Sequence, residues 1–308
     1  MFQTLRRQLT LLAASALIAG SAIAGGENWT EDFEGAKTTA KQTGKDLLLD
    51  FTGSDWCVWC VRLNDEVFSK DAFKNYAEGE FVLVELDYPR NDTRTAEVKA
   101  QNEKLKNKYA IRGYPTILLT DEQGRPYAKT GYQRGGADNY VAHLKELKQI
   151  RVNRDEQFAA AEKATGVEKA KHLHEAMQLL GDDMALQYYE PTVKKIIELD
   201  ADNKAGLKQH YNDLYTAKKQ REELAKIMQG LRADPDGAIA KLDTMLAKQD
   251  LVTAVRQEAL ATKAQVQLYV VKDKEAAKAT LQQAIEVDPD SDMAKQLTAA
   301  MGRLFPDE

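Results

Sequence analysis

The sequence predicts two folded parts of different class: an α/β domain over residues 25–150 and an all-α domain over residues 151–308. Three observations carry this. Short apolar runs suited to buried strands alternate with helix-spaced stretches up to about residue 150, and the alternation ends in a hairpin. After Arg151 the strand signal vanishes and the chain becomes rich in Ala, Leu, Lys, Gln and Glu, all good helix formers. With 308 residues, each part is long enough to bury its own core.

In the first part, Trp29, Phe33, Ala36 and Ala40 follow helical spacing to about Thr43, and Gly44 supplies a stop. Asp46 to Phe51 is a short apolar run that reads as a buried strand. Thr52-Gly53-Ser54-Asp55 is a polar, turn-like cluster, after which Val61, Leu63, Val67 and Phe68 recur at roughly helical intervals. A second helical stretch lies near Asp71 to Ala77, a strand over Phe81 to Leu86, and a charged helix over Thr93 to Lys108. Gly113-Tyr114-Pro115-Thr116 breaks the chain before Ile117, Leu118 and Leu119. Asp121-Glu122-Gln123-Gly124 turns a hairpin into Tyr127 to Tyr132, and a helix from Asp138 to about Ile150 carries Tyr140, Val141, Leu144 and Leu147 on one stripe.

The first two dozen residues differ from the rest. Arg6 and Arg7 precede an apolar stretch from Leu9 to about Ala24, which closes with Ala22-Ile23-Ala24 before Gly25, the pattern of a secretory signal peptide over residues 1–24. The run is about 16 residues, interrupted by Ser15, Gly20 and Ser21, whereas a membrane span needs roughly 20 strongly apolar residues; an uncleaved anchor is the competing reading. The expected location is exported, and periplasmic if the cell has two membranes. Cleavage would take the formal charge from -5 to -7. The charges are interspersed, with no basic cluster for nucleic acid. An apolar fraction of 43% beside a charged fraction of 30% argues against both disorder and a membrane-embedded fold.

The helical part is broken at Gly181, Pro191, Pro235 and Pro289. Ile197-Glu198-Leu199-Asp200, Arg232-Ala233-Asp234-Pro235 and Val287-Asp288-Pro289-Asp290 each terminate a helical run. The stretch from about Glu258 to Pro289, with Ala277, Leu281, Ala284 and Pro289, resembles one tetratricopeptide repeat. A tetratricopeptide-like array stands against an ordinary helical bundle.

Chemistry concentrates in Cys57-Val58-Trp59-Cys60, which holds both cysteines of the chain at a strand-to-helix junction. An exported chain meets an oxidising compartment, yet a bridge over so short a loop removes little unfolded-state entropy, so function explains the pair better than stability. Only a thiolate attacks a disulfide, and the first turn of a helix favours the thiolate through its free N–H groups. Cys57 is therefore the expected nucleophile. Cys60, one turn deeper on the same face, is placed to resolve the mixed disulfide. Zinc would want four ligands, and there is no second cysteine pair. His143, His172, His174 and His210 all lie in predicted helices, where packing competes with a metal role. No bound cofactor is expected beyond the redox-active Cys57–Cys60 disulfide.

The order Leu49-Asp50-Phe51, then Trp56-Cys57-x-x-Cys60, then Tyr109-Ala110-Ile111-Arg112-Gly113-Tyr114-Pro115-Thr116 resembles the thioredoxin family over about residues 28–150. The phrase Phe51 to Cys57 is similar to exported bacterial members. This resemblance implies a thioredoxin-like fold in which Pro115 is a cis-proline facing the active site. Backbone beside it, at Tyr114, would pair with an extended client segment. A trans proline opening a strand is the alternative. The resemblance also nominates Asp50 as a buried carboxylate that exchanges a proton with Cys60. Seven positions separate Asp50 from Cys57, one more than is usual in the family, and an ordinary strand-end Asp is the plain alternative. Val58-Trp59 replaces the Gly-Pro of thioredoxin. Trp56 is expected to cover the thiols, and Trp59 to contact clients or pack in the core.

These readings describe a thiol-disulfide oxidoreductase acting on protein thiol and disulfide clients, with an unidentified electron donor or acceptor. Reductase and isomerase directions share the same motif. A non-catalytic helical-repeat adaptor and a Cu(I)-binding thiol carrier are the alternatives from other classes. The helical part is a candidate surface for a protein partner or for self-association.

Overall fold

The computed structural model describes residues 28–231 and 233–305. The predicted signal peptide, residues 1–24, lies outside them. The chain divides into two compact units at Arg151/Val152. Among the described residues no helix is long and apolar enough to cross a membrane.

The first unit contains β1 (Trp29–Thr30), α1 (Phe33–Thr43), β2 (Asp46–Thr52), α2 (Val58–Leu63), which continues as a π-helical turn over Asn64–Phe68, α3 (Asp71–Glu80), β3 (Phe81–Asp87), α4 (Ala96–Lys108), β4 (Thr116–Thr120) and β5 (Pro126–Thr130). A final helix, α5 (Gly136–Lys163), runs across the division between the units. The strands form one mixed sheet in the order β1-β3-β2-β4-β5, in which β1, β3 and β2 are parallel, β4 pairs antiparallel with β2, and β5 pairs antiparallel with β4.

β2 is buried along its whole length, as a central strand covered on both faces must be, which is why its sequence is a near-continuous apolar run. Leu47, Leu48, Leu49 and Phe51 have no solvent exposure, so truncating one of these leucines to Ala is expected to cost about 2–5 kcal/mol. On one face Phe51 meets Tyr109 edge-on at 6.0 Å, and Tyr109 meets Phe33 of α1 at 6.4 Å. On the other, Phe68 of the π-helical turn meets Tyr140 of α5 at 6.1 Å. At the hairpin, Tyr109 donates to the carbonyl of Gly124 at 2.8 Å. Gly124 has φ +75° and a Cβ there would stand 2.9 Å from the Phe33 ring, so this turn requires glycine.

Four expectations are corrected. Trp29 is not in the first helix but pairs with Leu83 in a parallel strand; the Asp32 carboxylate accepts from Gly35 N–H at 2.9 Å and so starts the helix at Phe33. Val61 is exposed, because the short α2 turns only Cys60 and Leu63 inward. The charged helix starts at Ala96, where the hydroxyl of Thr95 caps it. The helix predicted to end near Ile150 runs to Lys163, since nothing before Gly166, at φ +56°, interrupts it.

In the second unit all regular structure among the described residues is helical: α6 (Gly166–Leu180), α7 (Asp182–Tyr188), α8 (Glu190–Leu199), α9 (Leu207–Gln229), α10 (Pro235–Leu246), α11 (Thr253–Val266) with a π-helical continuation over Gln267–Val271, α12 (Lys274–Val287) and α13 (Asp292–Leu304). Pro191 and Pro235 stand in first turns, where a missing N–H costs nothing. Leu173, Met177, Tyr189, Val193, Ile196 and Tyr211 pack in one core, and Leu242, Met245, Leu251 and Val255 in a second. Ala277, Leu281 and Ala284 are buried on α12, which packs against α11, and Ala284 shares a core cluster with Leu260 and Ala261. Two of the histidines join helices: His172 Nδ1 is 2.9 Å from Gln157 Oε1, and His174 Nδ1 is 2.9 Å from the Tyr211 hydroxyl.

Candidate active site

The site begins where β2 ends. Cys57 sits in extended conformation at the N-cap of α2, and its sulfur accepts a hydrogen bond from Cys60 N–H at 3.2 Å, taking up one of the free donors of the helix start. Cys57 and Cys60 are joined in a disulfide with Cα atoms 5.2 Å apart, and their residues are only 6% and 4% exposed. The backbone N–H of Cys57 in turn donates to the carbonyl of Gly53 at 2.9 Å, closing the loop tightly against the strand.

A polar clamp, which sequence reasoning did not identify, fixes that loop. Asp87, at the end of β3, accepts from the backbone and hydroxyl of Ser54 at 2.9 and 2.6 Å and from Tyr88 N–H at 2.8 Å. Asp55 accepts from the N–H groups of Arg90 and Asn91 at 2.9 and 3.2 Å, and these bonds hold its carboxyl below the usual range. The segment after β3 is thereby bound to the cysteine loop. The only sequence signal was a run of short polar residues, which reads equally as an ordinary turn.

Trp56 is partly exposed. Its indole donates to the carbonyl of Tyr88 at 2.8 Å, and its ring meets Tyr114 edge-on at 5.6 Å. That contact brings the Gly113–Thr116 loop beside the cysteine motif, and within it the Tyr114–Pro115 bond is cis. Val58, at 66% exposure, and Trp59 and Val61 stand open to solvent. Trp59 is not in the core; it rests on Tyr132 at 5.2 Å, with the guanidinium of Arg62 5.1 Å from its ring. Exposed apolar side chains therefore flank a nearly buried disulfide.

Asp50 alternates on β2 with Phe51, which faces Tyr109, and so projects to the opposite face of the sheet, where Phe68 of the π-helical turn meets Tyr140. It is 6% exposed and its Oδ1 has no hydrogen-bond partner. Burial pushes its carboxyl well above 3.8, and the charges of Glu85 and then Asp87 push it further. A carboxyl pushed up in this way takes a proton more readily than an ordinary one. Among the described residues no group of three or more His, Cys, Asp or Glu side chains is arranged to hold a metal ion.

A mixed sheet carrying a Trp-Cys-x-x-Cys disulfide at a helix start, beside a cis-proline loop, defines a class: the chain belongs to the thioredoxin-like family, whose domain matches residues 33–148, and it is a thiol-disulfide oxidoreductase. Among relatives, the disulfide bond reductase DsbH of Chlamydia pneumoniae is 33% identical over 121 residues, 39% of this chain and 73% of that protein. The thiol:disulfide interchange protein DsbD of Actinobacillus pleuropneumoniae serotype 5b (strain L20) is 35% identical over 114 residues, 36% of this chain and 18% of the relative. A solved DsbH oxidoreductase structure is 31% identical, covering 44% of this chain and 94% of its own, with a TM-score of 0.38.

Proposed function

We propose that this protein is an exported reductant of protein disulfides. The observation that carries the exchange chemistry is the hydrogen bond from Cys60 N–H to the sulfur of Cys57 at the helix N-cap, because a donor aimed at that sulfur favours its thiolate, the attacking form, once the bridge is reduced. The name of the relative DsbH, a disulfide bond reductase, supports the reductive direction. Export rests on the signal-peptide pattern of residues 1–24.

In the proposed cycle the Cys57 thiolate attacks a client disulfide, one client sulfur leaves, and a mixed disulfide forms. Cys60 gives up its proton to Asp50, and its sulfur attacks Cys57 and releases the second client sulfur. The client gains two electrons and the Cys57–Cys60 bridge re-forms. A dithiol donor must then reduce the bridge, which carries the electrons without a bound cofactor. Trp56, Val58 and Trp59, together with backbone at Tyr114 and Pro115, offer an extended client segment an apolar rim and an edge to pair with. The helical unit, whose sequence from about Glu258 to Pro289 resembles a tetratricopeptide repeat, is the proposed surface for a protein partner.

The test is the equilibrium potential of the Cys57–Cys60 pair together with insulin reduction by wild type and Cys57→Ser. A potential near that of thioredoxin, roughly -270 mV, with activity lost in the variant, supports the reductant. A potential of about -120 to -180 mV overturns the direction in favour of an oxidant or isomerase.

A further inference from the structure

The strand pairing sets a second acid beside Asp50. β2 and β3 run parallel with Asp50 in register with Glu85, and in-register neighbours in a sheet project to the same face, with strands about 5 Å apart. Both residues are buried, Glu85 at 4% exposure. Glu85 stands among the core residues Phe81, Leu83, Val84 and Leu86 of its strand. The neighbours of Asp50 come from three elements. β3 presents Glu85 and, two residues on, Asp87, which is occupied by Ser54 and Tyr88 N–H. α5 presents the hydroxyl of Tyr140, buried without a hydrogen-bond partner. β4 presents only Ile117.

We propose that Glu85 is a positioning residue of the exchange reaction: set beside Asp50 across β2 and β3, it makes Asp50 the acceptor of the Cys60 proton in the step that releases the client. The inference rests on the reading of Asp50 given under the proposed function. Its physical basis is that a like charge nearby disfavours the ionised carboxylate, so the proton is taken up more readily. A base works best when its proton affinity is matched to the operating pH, and an ordinary carboxylate is too weak a base for a thiol. Burial supplies the larger part of the correction and Glu85 the next. In the step itself, the Cys60 S–H bond breaks and its proton goes to Asp50. The Cys60 sulfur bonds to Cys57, and the Cys57–client bond breaks with its electron pair on the client sulfur, which is protonated from solvent. The two electrons have passed from the dithiol to the client.

The experiment follows single-turnover oxidation of the reduced full-length protein by a peptide disulfide across the neutral pH range, for wild type, Glu85→Gln, Asp50→Asn and the double variant. Glu85→Gln is expected to slow the resolving step about tenfold at neutral pH and to move its acid limb down by about one pH unit. Asp50→Asn is expected to abolish the limb, and the double variant to match Asp50→Asn, because Glu85 acts only through Asp50. Glu85→Leu, with neither charge nor polarity, gives the same shift if charge is what matters, and carries the test if Glu85→Gln does not fold. Coinciding acid limbs for wild type and the uncharged variants, or further slowing by Glu85→Gln in the Asp50→Asn background, overturns the proposal. A wild type that reduces no peptide disulfide instead overturns the proposed function itself.

Discussion

The hydroxyl of Ser54 donates to Oδ2 of Asp87 at 2.6 Å while its backbone N–H donates to Oδ1 at 2.9 Å, so one side chain at the end of β3 holds the loop that presents Cys57. Asp87 is buried, and its backbone carbonyl is taken by Asn102 Nδ2 and by the guanidinium of Arg94. Hydrogen bonds to a buried carboxylate contribute about 1.5–3 kcal/mol each. Asp87→Ala is therefore expected to lower the stability of the oxidised protein by about 3 kcal/mol, and Ser54→Ala by about 1 kcal/mol, in urea unfolding. Equal stability in all three proteins would show that the clamp is idle.

Gly53 faces the ring of Trp56: a Cβ at that position would stand 2.6 Å from the indole. Gly53→Ala must push the ring off its hydrogen bond to Tyr88 or move the loop. Overpacking of this kind costs about 1–3 kcal/mol. The expected result is a red-shifted tryptophan emission and slower insulin reduction, with Trp56→Phe slowing the reaction to a similar degree. An unchanged spectrum in Gly53→Ala would mean that the indole is not held as described.

Every strand but β1, and most helices, were legible because their signals are local. The apolar run at Asp46 to Phe51, the alternation of classes and the Pro-marked breaks between helices each depend on neighbours in sequence. The start of α1 was not, since Trp29 is strand only because Leu83 pairs with it from afar. In the site, the cysteine motif could be read directly, and Pro115 through the family resemblance. The clamp could not, because Ser54 and Asp87 are 33 positions apart and only the β2–β3 pairing makes them partners. Glu85 did leave a trace, as a lone acid inside an apolar strand; its relation to Asp50 required the register.

The exposed rim makes a separable prediction. Val58 and Trp59 contribute little to the core, so their loss should leave folding and the potential nearly unchanged. Trp59→Ala and Val58→Ser are expected to raise KM for a protein client several-fold with a smaller effect on kcat, as removal of uniform binding does. A small-molecule disulfide, which has no chain to lay across the rim, should be reduced at the wild-type rate. Equal losses with both substrates would place Trp59 in support of the thiols instead.

Asp50 links the site to stability with a definite sign. Its folded-state carboxyl is raised above the unfolded value near 3.8, chiefly by burial and then by Glu85 and Asp87, so folding favours the protonated form. Its favourable contribution is fully present below about pH 3.8 and is lost as pH rises through the folded-state value; above that, the buried charge with its bare Oδ1 weakens the fold. Asp50→Asn removes the titration while keeping the shape. The oxidised variant is therefore expected to be more stable than wild type at neutral and mildly alkaline pH, and the difference should shrink steadily on acidification. Urea unfolding of both proteins across that range measures it. A variant less stable than wild type at alkaline pH would mean that the Asp50 carboxylate is stabilised by an ionic partner, and would remove it as a proton acceptor for Cys60.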